Sequence, residues 1–168
     1  GYELVLAVLQ AGHNVSPIPG PSAPIAALGV SGLPTDRFLY LGYLPKKTGD
    51  RRRAAAEVET LAYTLIFLET PHRLVAALDD LEAVLGDREM AVARELTKLH
   101  EEIFRGKISE AVAHYRQNPP RGEITLVVAG ASQKFEKWSA DQVKTSLESA
   151  LSQGDFPSHI AKDIAAQS

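Results

Sequence analysis

Residues 64–85 read TLIFLETPHRLVAALDDLEAVL and carry the pattern that decides the fold. Residues 64–68 form a continuous apolar run, which is typical of a strand buried on both faces of a sheet. Pro71 then opens a helix, and Thr70 is a suitable N-cap for it. Four leucines with the spacing i, i+4, i+7 and i+11 form one apolar stripe on this helix: Leu74, Leu78, Leu81 and Leu85. A buried strand followed by an amphipathic helix predicts an α/β domain.

Similar patterns occur on both sides of this unit. Apolar periodicity and capping residues predict further helices over residues 3–10, 22–30, 51–61 and 108–115. Apolar and aromatic runs predict further strands over residues 14–19, 38–44, 90–94, 102–104 and 124–129. Helix patterns over 140–153 and after Ser158 predict a small helical appendage. We therefore expect an α/β domain over 1–131 and an appendage over 132–168.

The composition excludes several classes of protein. Apolar residues make up 45% of the 168 residues and charged residues 23%, which is ordinary for a globular domain and excludes a disordered or collagen-like chain. No apolar run approaches the roughly 20 residues that span a bilayer. Cysteine is absent, which excludes a disulfide framework, a thiolate zinc site and a cysteine nucleophile, and fits a reducing compartment. The net charge of −3 does not indicate a general nucleic-acid binder, so only a local patch could bind RNA.

Ligands of α/β sheets usually bind beyond the carboxyl ends of the strands. This rule directs attention to the loops 19–22, 44–50, 69–73, 94–100 and 130–132. The first of them reads PGPS and joins a predicted strand to a predicted helix. Its prolines fix the backbone, its glycine permits close approach of a ligand, and the helix N-terminus offers amide donors. The alternative interpretation of the same residues is a rigid turn before a capped helix, without a bound ligand.

Two further loops are rich in charge. Residues 69–73 read ETPHR and bring a carboxylate, an imidazole and a guanidinium to the end of the buried strand. Residues 94–102 read RELTKLHEE, which is unusual for a segment between two strands. The alternatives are a capped helix with solvent-facing side chains in the first case and an exposed hairpin with surface ion pairs in the second. One histidine cannot build a metal site, and no other histidine has ligand spacing to His72.

Residues 46–53 read KKTGDRRR and carry a local charge of +4. Such a segment binds phosphate backbones. A solvated helix start is the alternative, but basic residues there oppose the helix dipole, which favours a functional role.

Five segments occur together in a fixed order: PGPSA (19–23), SGLPTDRF (31–38), ETPHRL (69–74), ARELTK (93–98) followed by Glu101 and Glu102, and RGEI (121–124). In this order they resemble the family of small-subunit ribosomal RNA methyltransferases I, within the tetrapyrrole methylase (class III) superfamily. The resemblance covers residues 1–131 and implies a mixed, largely five-stranded sheet flanked by helices. It also implies S-adenosylmethionine as the cofactor and 2′-O-methylation of a cytidine in small-subunit ribosomal RNA as the reaction.

The resemblance implies roles for particular residues. The residues expected near the cofactor are Pro19, Gly20, Pro21, Ser22, Leu68, Glu69, Leu96 and Glu123. The candidates for the base that removes the ribose hydroxyl proton are, in order, Lys98, His72 and Glu95. The expected RNA contacts are Lys46, Lys47, Arg51, Arg52, Arg53, Arg73 and Arg94. Lys98 could act as a base only if burial or neighbouring Arg94 lowered its pKa, and the nearby carboxylates would oppose that change. No metal is required.

Members of the family place the cofactor in a cleft between two domains. They have an N-terminal domain before the matched segments and a helical tail that continues past Ser168, and this chain begins at Gly1 without an initiator methionine. The resemblance therefore implies a C-terminal domain, cut at both ends and inactive by itself. The implied setting is a cytoplasmic homodimer that acts on ribosomal RNA or the 30S subunit, with no membrane association. Two alternatives stay open. The chain could be a non-catalytic module for RNA binding or dimerisation. It could also belong to a class III methylase of a tetrapyrrole or another small molecule, against which the basic loop and RELTK segment count.

Overall fold

The computed structural model describes residues 1–132, 144, 145 and 147. The α-helices are α1 (Tyr2–Gln10), α2 (Ala23–Ser31), α3 (Thr48–Ala56), α4 (Leu74–Leu85) and α5 (Ile108–Gln117). The strands are β1 (Phe38–Tyr43), β2 (Thr64–Glu69), β3 (Glu89–Arg94), β4 (Glu102–Lys107) and β5 (Ile124–Val128). A short 3₁₀ turn, Pro71–Arg73, leads from β2 into α4. All of these elements belong to the unit Gly1–Ala131.

The five strands form one mixed sheet in the order β1-β2-β5-β3-β4. β1 runs parallel to β2, whereas every other neighbouring pair is antiparallel. The expected mixed five-stranded sheet with flanking helices is therefore confirmed. We call the edge where β1, β2 and β3 end, and where β5 and β4 begin, the carboxyl edge.

This topology corrects one of the predicted ligand loops. Because β5 runs antiparallel to β2, the loop 130–132 leaves the sheet at the opposite edge. There the Ala131 N–H donates a hydrogen bond to the Leu61 carbonyl at 2.7 Å. The other four loops follow the carboxyl ends of strands or precede α2. The candidate site is therefore built at the carboxyl edge without residues 130–132.

Strand β2 is buried on both faces, as its apolar run predicts. Side chains alternate along a strand, so Leu65 and Phe67 face one side of the sheet and Ile66 faces the other. The first side is covered by α3, α4 and α5, and the second by α2, where Ala27 and Leu28 pack against Ile66. The predicted leucine stripe of α4 lies in the first core, where all four leucines are buried: Leu74, Leu78, Leu81 and Leu85.

The strand predicted over residues 14–19 is absent, and that prediction is wrong. The structure shows neither helix nor strand between residues 13 and 22, and these residues are exposed. A strand needs a neighbour to receive its backbone hydrogen bonds, and no strand of the described residues pairs with this segment. Pro17 and Pro19 also lack the N–H groups that a ladder uses.

Most other boundaries agree with the predictions within a few residues. Helix α3 begins at Thr48, earlier than predicted, so part of the basic segment expected in a loop is helical. The helix patterns over 140–153 and after Ser158 lie, except for residues 144, 145 and 147, outside the described residues. The predicted appendage over 132–168 therefore stays a prediction. Among the residues that the structure describes, no helix has the length and apolar character needed to cross a membrane.

Candidate functional site

The direction of α2 brings the PGPS loop towards the carboxyl edge. The loop that follows α2 reaches the start of β2, where the Thr64 hydroxyl donates to the Pro34 carbonyl at 2.7 Å. The body of α2 packs on the middle of the sheet through Ala27 and Leu28. Its N-terminus at Ser22 therefore points towards the other end of the strands.

The PGPS loop is open to solvent. Ser22 is the N-cap residue of α2 and has an extended backbone, but its side chain makes no capping hydrogen bond. Pro19, Gly20 and Pro21 are exposed. The hydroxyl of Ser22 and the first amides of α2 are thus available to a carboxylate or hydroxyl of a ligand.

The two residues at the end of β2 face opposite sides of the sheet. By the alternation of the strand, Leu68 lies on the α2 side and Glu69 on the α4 side. The Glu69 side chain is fully buried, and its Oε1 accepts hydrogen bonds from the Thr70 N–H at 2.6 Å and from Arg73 Nε at 2.7 Å. Its Oε2 is buried without a hydrogen-bond partner. The Glu69 carboxylate therefore fixes the turn after β2, and Arg73, predicted as an RNA contact, is tied to it and only 23% exposed.

Glu95 connects two loops at the carboxyl edge. Its Oε1 accepts a hydrogen bond from the Glu123 N–H at 2.9 Å and lies 3.0 Å from Lys98 Nζ. Its own N–H donates to the Glu123 carbonyl at 3.1 Å. The backbone of Glu95 is left-handed (φ 49°), and the side chain lies directly against Gly122. We call this arrangement of Glu95, Lys98, Gly122 and Glu123 the Glu95 latch.

The contacts of the latch bear on the expectation that Lys98 is a base. Lys98 Nζ lies 3.0 Å from the Glu95 carboxylate and 3.3 Å from that of Glu123. Hydrogen bonds to Glu95 and then to Glu123 raise the pKa of Lys98, whereas a base at neutral pH needs a lowered one. The Glu123 N–H, followed by Lys98, holds the pKa of Glu95 below its usual value, so this carboxylate is a weak base with its Oε1 already occupied.

Arg94 belongs to a second cluster at the same edge. Its Nε donates to Glu102 Oε2 at 2.9 Å, and its guanidinium is only 18% exposed. Glu102 Oε1 lies 3.3 Å from His114 Nε2 and accepts from the Tyr115 hydroxyl at 3.4 Å. Burial opposes ionisation of Glu102, but Arg94 and His114 still hold the pKa of this carboxyl below its usual value. The pKa of Tyr115 is raised, mainly by burial and secondly by the negative charge of Glu102. Arg94, predicted as an RNA contact, is thus engaged within the protein.

Among the predicted RNA contacts, Arg51 differs most from its expected exposed position. Its side chain is 3% exposed and forms a buried ion pair with Asp80 of α4, in which Nε donates to Oδ2 at 2.7 Å. The same guanidinium donates to the carbonyls of Pro45 and Lys46 at 3.2 and 3.1 Å. Arg51 therefore has no surface to offer RNA and instead shapes the loop before α3. Arg52 also pairs with Asp80 at 2.7 Å but is half exposed.

Exposed positive charge in this segment comes mainly from three side chains. Lys46 and Lys47 are exposed, and Arg53 is 75% exposed with a loose pair to Asp50 at 3.6 Å. These residues follow β1, so Lys46 and Lys47 lie at the carboxyl edge. Together with the half-exposed Arg52, these three side chains are the accessible part of the predicted RNA-binding set.

His72 lies in a pocket of about 550 Å³ at the ends of β1 and β2. The pocket is bounded by Tyr43, Leu44, Pro45, Lys46, Thr70, His72 and Arg73. Among the described residues, the His72 imidazole has no hydrogen bond or ion pair, and the residue is exposed. The other two candidate bases, Lys98 and Glu95, are paired with each other.

Several site residues were not predicted. The sequence patterns place Tyr43 only in an aromatic strand and Gly122 only in a family motif, and they give Asp80 no role. The positive backbone φ that makes Gly122 suitable, 85°, could be suspected from a glycine between charged residues. No local signal pairs Asp80 with Arg51, which is 29 residues away. Within the described residues, no group of three His, Asp or Glu side chains could bind a metal ion.

The fold is a mixed α/β sheet whose candidate ligand loops lie at one edge, where α/β sheets usually bind their ligands. Comparison with known proteins specifies the family. Residues 1–112 match the model of the tetrapyrrole (corrin/porphyrin) methylases, and the chain belongs to this family. Solved structures agree on the fold: the methyltransferase CobJ aligns with a TM-score of 0.57 at 18% identity, covering 78% of this chain and 57% of CobJ. The cobalt precorrin-4 methyltransferase CbiF aligns with a TM-score of 0.51 at 15% identity, covering 76% of this chain and 57% of CbiF.

Curated relatives are more similar in sequence. A protein of Halalkalibacterium halodurans named ribosomal RNA small subunit methyltransferase I is 46% identical over 136 residues, covering 81% of this chain and 47% of that protein. A protein of the same name from Escherichia coli O157:H7 is 42% identical over 170 residues, covering 99% of this chain and 58% of that protein. The chain spans about half the length of the curated relatives it matches.

Proposed function

We propose that the full-length protein, meaning the natural protein in which this chain occurs, methylates the ribose 2′-oxygen of a cytidine in small-subunit ribosomal RNA. The observation that carries the proposal is the 42% identity to the Escherichia coli relative over 99% of this chain. That relative is named a ribosomal RNA small subunit methyltransferase. We propose S-adenosylmethionine as the methyl donor, ribosomal RNA or the 30S subunit as the partner, a homodimer as the assembly and the cytoplasm as the location.

The α2 side of the carboxyl edge fits the proposed cofactor. Ser22 and the first amides of α2 offer unused donors beside the rigid PGP backbone. Leu96 and the end of β2 at Leu68 add apolar surface on the same side of the sheet. Hydrogen-bond donors beside an apolar surface suit a molecule with a charged amino-acid end and an adenosine end. The main chain of Glu123 is tied to Glu95 and borders the same edge.

S-adenosylmethionine, when bound, supplies a methyl group on an already activated sulfonium. The contribution expected from this chain is therefore mainly positioning of the ribose hydroxyl. We propose His72 as the base that accepts the hydroxyl proton, because its imidazole is exposed and unbonded in the pocket beside Lys46. We assign Lys98 and Glu95 to the latch, which positions the β3–β4 loop.

The proposal is tested by 2′-O-methylation of ribosomal RNA in a bacterial strain that lacks its own enzyme for this modification. Expression of the full-length protein is expected to restore one methylated cytidine, measured by mass spectrometry of ribonuclease fragments. Absence of methylation by the correctly folded full-length protein would contradict the proposed function.

The base assignment is tested by His72→Ala with purified full-length protein. Loss of a general base lowers the rate by about 100-fold or more, and RNA affinity is expected to stay close to that of the wild type. His100→Ala is the matched control, because His100 is also an exposed histidine at the carboxyl edge. Lys98→Ala is expected to lower the methylation rate less than His72→Ala does. Equal rates for His72→Ala and the wild type would reject His72 as the base.

A further inference from the structure

The pocket at the ends of β1 and β2 combines apolar walls with a positively charged side chain. Tyr43, Leu44 and Pro45 supply the apolar part, and Lys46 supplies an exposed cation. Its volume of about 550 Å³ is large enough for a nucleoside-sized group. An apolar wall beside the Lys46 cation matches the two parts of a nucleotide, a flat base and a phosphate.

Tyr43 supplies an exposed aromatic ring to this pocket. The residue is 62% exposed at the end of the edge strand β1. No other aromatic ring of the described residues stacks on it. An exposed aromatic ring beside basic side chains is the arrangement with which proteins stack unpaired bases of single-stranded RNA.

The backbone holds Tyr43 in this position. The pairing of β1 with β2 is irregular between Tyr40 and Gly42, and Gly42 has a left-handed backbone (φ 69°). Such a bulge redirects the side chains that follow it. The Leu44 N–H then donates to the Leu68 carbonyl at 3.4 Å, which fixes the strand end immediately after Tyr43.

The rim of the pocket is also preorganised. Arg51 donates to the carbonyls of Pro45 and Lys46, which fixes the loop on one side. The buried Glu69 carboxylate fixes Thr70 and Arg73 on the other side. Little ordering entropy therefore has to be lost when a ligand enters between them.

We infer that this pocket binds one unpaired base of single-stranded RNA, with the Tyr43 ring as the stacking surface and Lys46 near an adjacent phosphate. The inference rests on the proposed function, because it takes RNA as the substrate. It adds a base-binding residue that the motifs do not contain. Its chemistry predicts dependence on the aromatic ring rather than on charge at position 43.

The test compares Tyr43→Phe, Tyr43→Leu and Tyr43→Ala in the full-length protein. The probe is a fluorescein-labelled single-stranded RNA of 12 nucleotides, followed by anisotropy at several salt concentrations. Loss of one base–aromatic stack weakens binding by about 5- to 150-fold, so Tyr43→Ala and Tyr43→Leu are expected to fall in this range while Tyr43→Phe binds like the wild type. The salt slope is expected to stay unchanged, because no charge is removed.

Tyr40→Ala is the matched control. Tyr40 is 49% exposed on the same strand but precedes the bulge and does not border the pocket. It is expected to bind the RNA like the wild type, and melting temperatures show that every variant is folded. The inference would be overturned if Tyr43→Ala bound the RNA as tightly as the wild type, or if Tyr43→Leu and Tyr43→Phe bound it with equal affinity. It would also be overturned if Tyr43→Ala weakened binding of a duplex RNA probe as much as binding of the single strand. A loss of S-adenosylmethionine binding with RNA affinity intact would overturn it as well.

The inference and the proposed function can fail separately. If the full-length protein methylates no ribosomal RNA but its binding of single-stranded RNA needs the aromatic ring, the inference stands and the proposed function fails. If ribosomal RNA is methylated at the wild-type rate by Tyr43→Ala with unchanged RNA affinity, the proposed function stands and the inference fails.

Discussion

At the scale of single residues, Glu95 joins two segments that are far apart in the sequence. It follows β3, and its carboxylate receives the Glu123 N–H just before β5. The charge-rich run around Glu95 marked it as a candidate for chemistry, but the run could not distinguish a catalytic carboxylate from a structural one. The difference lies in the position of Glu123, 28 residues away, which only the fold brings near.

The latch predicts a dependence of stability on pH. The folded-state pKa of Glu95 is lowered from the usual 4.5 by the Glu123 N–H and then Lys98. Its contribution is therefore fully present above about pH 4.5 and is lost as the pH falls through the lowered folded-state pKa. Glu95→Gln is expected to be less stable than the wild type at pH 7, with the difference shrinking towards pH 3 in urea unfolding. Glu89→Gln, an exposed carboxylate at the opposite edge, is the control, and an undiminished difference at pH 3 would contradict the assignment.

Gly122 offers an independent test of the latch. Its φ is 85°, and an added Cβ would meet the flexible end of the Glu95 side chain. Gly122→Ala is therefore expected to displace Glu95 from Lys98 in addition to the backbone cost. Gly32→Ala is the matched control, because Gly32 has a φ of 82° with open space around it. In each variant the free energy of unfolding is expected to fall by about 1–2 kcal/mol, because alanine is strained in the left-handed backbone conformation.

The two glycine variants differ in one further measurement. NMR titration of Glu95 is expected to show its pKa moving back towards the usual value in Gly122→Ala and remaining lowered in Gly32→Ala. An unchanged Glu95 pKa in Gly122→Ala would show that the carboxylate keeps its partners.

At the scale of elements, α3 and α4 are joined by a buried ion pair as well as by apolar packing. Arg51 of α3 and Asp80 of α4 are 3% and 5% exposed. The apolar stripe of α4 could be predicted from its spacing, whereas Asp80 lies outside that stripe and no sequence pattern predicts its burial. Burial of Asp80 depends on where α3 packs, and that position is a tertiary property.

The ion pair predicts unequal effects of neighbouring substitutions on α4. Asp80→Ala leaves the Arg51 guanidinium buried without its counter-ion, which destabilises a protein by about 3–5 kcal/mol. Asp79→Ala removes a surface pair with Arg116, in which the side chains are 42% and 58% exposed, and is expected to cost about 0–1 kcal/mol. Urea unfolding measures both free energies.

A milder variant keeps this comparison informative if Asp80→Ala does not fold. Asp80→Asn retains an acceptor for Arg51 Nε and is expected to lose less stability than Asp80→Ala. Equal losses for Asp79→Ala and Asp80→Ala would contradict a special role for the buried pair.

At the scale of the whole molecule, a net charge of −3 conceals an uneven distribution. Lys46 and Lys47 are exposed at the carboxyl edge, while Arg51 and Arg52 are paired with Asp80. The local charge of the segment could be counted from the sequence. Which of its cations face solvent could not, because pairing with Asp80 depends on the packing of α3 against α4.

This distribution predicts the salt dependence of RNA binding by the full-length protein. Lys46→Ala combined with Lys47→Ala removes two expected phosphate contacts, so the slope of log affinity against log salt is expected to become shallower by about 1.4 for a single strand. Arg37→Ala combined with Lys107→Ala is the control, because these exposed cations lie at the opposite edge. A slope that changes equally in both double variants would exclude a specific role for the basic segment.

The sequence by itself determined the buried strand, the leucine stripe, the sheet class and the family, because apolar periodicity and contiguous motifs are local properties. It also predicted a strand at residues 14–19 that the structure lacks, because a strand needs a pairing partner that the local pattern does not reveal. Only the tertiary structure decided which charged side chains are available. It placed Arg51 in the interior, Lys98 between two carboxylates and Tyr43 at an open pocket, since burial and pairing depend on residues that are distant in the chain and close in space.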